Sequence, residues 1–61
     1  MHIGKTIQRL QREKDVNCSE LARGMGVLPQ QVSRWRQSED LKFSVVKSLS
    51  EFFNVPIQVF L

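Results

Sequence analysis

Sixty-one residues hold one domain at most, and a chain this short hides only ~60 % of its unfolded surface, so multi-domain enzymes are excluded. Hydrophobic residues are 41 % and charged residues 25 %, a globular composition that excludes disorder, while one cysteine excludes a disulfide framework or a multi-thiolate zinc site. The net charge of +3 is uneven: residues 1–38 carry seven basic and three acidic side chains, residues 39–61 two and three, which points a basic front towards a polyanion.

Apolar residues recur at helical spacing throughout. Ile3, Ile7 and Leu10 fall at i, i+4 and i+7, which predicts a first helix over about 3–14. Asp15 and Asn17 interrupt it. Asn17 then offers an N-cap with Glu20 three residues on, the spacing of a capping box. Leu21, Ala22 and Met25 form the inward stripe of a short second helix, about 18–25, and Gly26 suits a left-handed C-cap. Pro29 fits the first position of a third helix, about 29–37. Val32 and Trp35 point inward there, while Gln30, Gln31, Arg34 and Gln37 make a polar outer face.

Ser38 to Lys42 reads as a polar loop. Phe43, or Ser44 as cap, opens a fourth helix over about 44–53, with Val46, Leu49 and Phe53 buried, Val45 and Phe52 flanking, and Asn54 as C-cap. Pro56 begins a last apolar segment, 56–61. Its pattern fits a short helix, but Ile57 to Leu61 also alternates well enough for a strand. The expected fold is all-α: a small bundle of five helices, the last open to being a strand. No signal peptide or membrane span is visible, so the expected location is the cytoplasm.

The unit spanning about 17–37 has the spacing of a helix-turn-helix: a capped short helix, a turn through glycine, and a helix with a polar face. At this point the chain resembles the DNA-binding domains of lambda-type phage repressors and Cro proteins, the xenobiotic-response-element type. The resemblance rests on Ile3-Gly4, Leu10, Ser19-Glu20-Leu21-Ala22, Met25-Gly26-Val27, Val32-Ser33-Arg34-Trp35 and the run from Leu49 to Asn54-Val55-Pro56. It covers nearly all of residues 1–61 as a single domain.

The resemblance implies a lambda-repressor-like fold and a third helix lying in the major groove. By position in that motif, Gln30, Ser33 and Arg34 are the base readers, with Gln31 a further candidate. Glutamine bonds adenine N6 and N7, and arginine bonds guanine N7 and O6. Arg9, Arg12, Arg23, Arg36, Lys42 and Lys47 are candidates for phosphate contacts, which position a protein without reading sequence. Cys18 stands where the family usually has glutamine; its helix N-terminus still offers N–H groups to a phosphate. Leu28 replaces the usual Ser or Thr cap, Arg36 a common acid, and Ser50 a usual alanine.

Phe52, Val59, Phe60 and Leu61 give the tail more apolar surface than so small a core easily covers. The resemblance implies a homodimer through this tail, with two third helices about 34–36 Å apart on a palindromic operator. No catalytic constellation is visible and no cofactor is implied. The leading function is a sequence-specific transcription regulator, a Cro-like repressor of phage or prophage. Val32 to Trp35 followed by Lys42-Phe43-Ser44 also resembles a lambda-phage transcription activator, and Glu39-Asp40 offers an acidic surface for RNA polymerase. The alternative classes are an antitoxin-like protein-interaction module and a DNA-binding fragment of a longer repressor.

Overall fold

The computed structural model describes residues 2–61 and contains four α-helices: α1 (Ile3–Lys14), α2 (Cys18–Met25), α3 (Pro29–Gln37) and α4 (Phe43–Phe53). A 3-10 turn, Ile57–Phe60, ends the chain. The first three helices match the spacing argument, and α4 starts one residue earlier, with Lys42 in the cap position. The expected fifth helix is reduced to that single turn, and no strand occurs among the described residues. Its bonds run from Val59 N–H to the Pro56 carbonyl (3.0 Å) and from Leu61 N–H to the Gln58 carbonyl (3.1 Å). Side chains three apart eclipse in a 3-10 turn, which sets Ile57 above Phe60 and turns both towards the core.

Three of the four helices close by the same device. Asp15, Gly26 and Asn54 adopt left-handed backbone angles, with φ of 55, 71 and 56°. The valine after each donates back to the carbonyl five residues earlier: Val16 to Gln11, Val27 to Ala22 and Val55 to Ser50. This is the Schellman pattern, and each valine folds half-buried onto the core. Two of the three positions use Asp and Asn, which tolerate this region better than other side chains.

The core takes Ile3, Ile7 and Leu10 from α1, and Leu21 and Ala22 from α2. Val32 and Trp35 enter from α3, Val46, Leu49 and Phe53 from α4, and Phe60 from the last turn. Ser50, a substitution for alanine on the family pattern, is buried too, and its hydroxyl donates to the Lys47 carbonyl at 2.7 Å. No polar group is stranded by that change. Helix α3 packs on α1 and α2, while α4 packs on α2 and the last turn.

The end of α3 also serves as the cap of α1. Ile3 and Gly4 donate their N–H groups to the carbonyls of Glu39 (3.2 Å) and Ser38 (2.8 Å). His2 contributes as well: its Nδ1 accepts from the Lys5 N–H at 3.2 Å. Orphan donors at a helix start are thereby satisfied by a side chain and by a neighbouring loop.

Candidate nucleic-acid interface

The turn from α2 to α3 decides how α3 presents itself. Asn17 closes the start of α2 in a complete capping box: Glu20 N–H donates to Asn17 Oδ1 (2.8 Å), and Asn17 N–H donates to Glu20 Oε1 (3.2 Å). Gly26 ends α2 at φ 71° without a Cβ to strain. Pro29 starts α3 at its first position, and Leu28 before it supplies no side-chain cap. Val32, fully buried, and Trp35, 5 % exposed, then fix α3 against α1 and α2. Trp35 is a core residue and no stacking platform.

With that face anchored, helical geometry dictates the opposite one. Gln30, Ser33, Arg34 and Gln37 lie at i, i+3, i+4 and i+7, and all four are exposed. The structure therefore brings three of the expected base readers onto one stripe. Gln31 is exposed on the flank, facing a cleft of about 810 Å³ that Arg34, Leu28 and Lys42 also line. Gln37 completes the stripe and was not among the expected readers; its seven-residue spacing from Gln30 is the signal that identifies it.

On the other flank of α3, four polar side chains from three helices meet. Cys18 is half-buried, and its Sγ accepts from Gln11 Nε2 (3.6 Å) and Arg36 Nη1 (3.5 Å). The Arg36 carbonyl accepts from Gln8 Nε2 at 2.8 Å. Arg12 lines the same recess. Arg36 Nε and Gln11 Oε1 are both buried without a partner. The recess thus joins the Arg36 guanidinium, an exposed arginine and the N-terminus of α2, where N–H groups and helix dipole favour an anion. The Cys18 thiol is the acceptor that holds the Arg36 guanidinium beside that N-terminus.

The remaining cations are placed less closely. Lys42 sits at the start of α4 and lines the larger cleft beside Arg34. Arg9 pairs with Glu13 one turn along α1, at 3.6 Å between exposed groups, an arrangement of small energetic worth. Arg23 and Lys47 are exposed but line neither recess.

The apolar tail divides on burial. Phe60 is 1 % exposed and belongs to the core of the single chain, which removes it from any surface that a second copy touches. The reason is geometric: the 3-10 turn directs its ring into the core, on the side where Ile3 lies. Leu61 is 64 % exposed, while Val59 and Phe52 are half-buried. Phe52 packs edge-on against Phe53, with ring centroids 5.2 Å apart, and its ring covers Gly24.

No curated protein and no solved structure matches the chain. A family model does: the Cro/C1-type HTH DNA-binding domain, over residues 6–58. That range takes in the helix-turn-helix, the exposed stripe of α3 and most of the core. It also agrees with the geometry, in which a buried face of α3 leaves a polar one free beside two cationic recesses. The chain belongs to the Cro/C1-type helix-turn-helix family of DNA-binding domains.

Proposed function

We propose that residues 1–61 work as one domain that reads a palindromic operator as a homodimer, each α3 lying in a major groove. The carrying observation is the exposed stripe Gln30, Ser33, Arg34 and Gln37 on a helix whose other face is locked in the core. Gln30, Gln31, Ser33 and Arg34 read base edges. Arg12, Arg36 and the N-terminus of α2 at Cys18 hold a phosphate on one side of α3, and Lys42 holds one on the other. Arg9, Arg23 and Lys47 add to the field that draws the domain to DNA. Phe52, Val59 and Leu61 support pairing through the tail.

Repression by a Cro-like protein of phage or prophage, acting in the cytoplasm, is the reading that asks least of the molecule. It needs only occupancy of a promoter. One observation favours a second reading, activation. Glu39 and Asp40 are exposed at the end of α3 and share a recess with Leu61, so an acidic and apolar surface for RNA polymerase stands next to the DNA-facing helix.

The test is selection of bound sequences from random duplex DNA at low and moderate salt. Enrichment of half-sites about one helical turn apart is the expected result. A folded protein that enriches nothing at either salt would sink the operator reading in favour of an antitoxin-like protein contact.

A further inference from the structure

The cleft of about 810 Å³ beside α3 has a mixed lining that divides by chemistry. Its apolar part comes from four successive pieces of chain: Val27 and Leu28 in the turn, Trp35 on α3, Leu41 in the following loop and Val45 on α4. Val27, Leu41 and Val45 are half-buried against the core, whereas Leu28 is 69 % exposed. Leu28 also holds the N-cap position of α3 without making a side-chain cap bond. A leucine there serves neither the helix end nor the core.

The polar part is Gln30, Gln31, Arg34 and Lys42, all exposed. It contains two cations and no carboxylate, since Glu39 and Asp40 line a different recess. DNA accounts for the amides and the cations. It does not account for a continuous apolar lining, because phosphates and base edges are chiefly hydrogen-bonding groups. A small ligand fits poorly too, because sites of that kind aim a few fixed polar groups at an enclosed molecule. Here the amides and cations stand exposed, and the Ser38 hydroxyl is already donated to the Arg34 carbonyl at 2.8 Å.

A protein helix meets both halves of the lining. Apolar residues on one face of a helix fill a hydrophobic groove. Arg34 and Lys42 fix the charge of that helix: a dry contact would leave them without a counter-charge unless carboxylates flank the apolar face. We propose that this cleft docks an acidic amphipathic helix of another protein. Gln31, Arg34 and Lys42 belong to the proposed DNA surface as well, so helix and operator exclude one another and the partner removes the domain from DNA. The docking surface stands on the cleft alone; only the exclusion rests on α3 being the major-groove helix.

The probe is a displayed library of random peptides of about 16 residues, some four helical turns. It is selected on the native protein and counter-selected on Leu28→Glu, with folding of each protein checked by circular dichroism. Enriched peptides should be acidic and carry apolar residues three or four apart. A fluorescent copy of one should bind Leu28→Glu about tenfold more weakly, the scale of an interface hot spot. Lys42→Glu should weaken it too, and carries the same test if Leu28→Glu does not fold. Phe43→Ser removes an equally exposed apolar side chain outside the cleft and should leave peptide binding unchanged. The duplex obtained by DNA selection should displace the peptide.

No enrichment on the folded native protein overturns the proposal and leaves the operator reading intact. Enriched peptides that are basic or neutral, or that lose as much binding to Phe43→Ser as to the cleft variants, overturn it as well. Simultaneous binding of peptide and selected duplex overturns the exclusion. A protein that enriches acidic amphipathic peptides and no DNA sequence upholds the docking surface while the operator reading fails.

Discussion

The backbone N–H of Gly4 donates to the carbonyl of Ser38 across 2.8 Å, tying the first turn of α1 to the residue that ends α3. The contact is so close that a β-carbon on Gly4 would overlap the carbonyl of Arg36 and crowd that of Trp35. The obstacle is backbone, so no side chain can swing aside. In an open helix alanine would be favoured over glycine by roughly 0.5–1 kcal/mol. Here overpacking, typically ~1–3 kcal/mol, should win. Gly4→Ala is expected to lower the urea midpoint; a higher midpoint would show that α1 and α3 slide apart at no cost.

The capping box gives a second stability prediction. Asn17→Ala deletes the acceptor for the Glu20 N–H and should cost about 1 kcal/mol of folding stability. Asn17→Asp keeps that acceptor and should stay near the parent in the same denaturation series. Equal losses for both would mean that the Asn17 amide acts through something other than the cap.

Much of this was legible in the sequence, and for identifiable reasons. The stripes Ile3-Ile7-Leu10 and Val46-Leu49-Phe53 carry their period in one stretch of chain, so their helices and their buried faces could be read directly. Asn17, Glu20, Gly26 and Pro29 are local signals as well, and all four act where their chemistry predicts. The tail was ambiguous because five alternating residues suit either period. The structure has a 3-10 turn there, and that turn sends Phe60 inward. The capping role of His2 was not legible, because no local pattern around it announces a cap. The knot of Gln8, Gln11, Cys18 and Arg36 was illegible, since it joins three helices and no local pattern brings those positions together.

The two kinds of DNA contact proposed for α3 and its flank separate by salt and sequence. Arg34 sits on the exposed stripe, so Arg34→Ala should lose ~1–3 kcal/mol of specific binding and relax preference at one base pair. Arg12 lines the recess at the α2 N-terminus, so Arg12→Ala should weaken operator and random duplex alike. It should also lower the slope of log K against log salt by about one. Binding isotherms over a salt series distinguish them. A loss confined to the operator for Arg12→Ala, or unchanged base preference for Arg34→Ala, would exchange or remove these roles.

Dimerisation through the tail is best tested at Leu61, because the four apolar residues first considered differ so much in burial. Phe60 is 1 % exposed, and Phe60→Asp would bury an unpaired carboxylate as well as leave a cavity. We expect that protein to unfold, which says nothing about a partner. Leu61, at 64 % exposure, gives up little of the core. Leu61→Asp should therefore keep the parent circular dichroism and urea midpoint while moving the sedimentation profile towards monomer. Its operator affinity should fall more steeply than its affinity for a single half-site, because only the full palindrome draws on the paired protein. An unchanged mass distribution in a folded Leu61→Asp protein would exclude this end of the tail from the interface and direct the search to Phe52 and Val59.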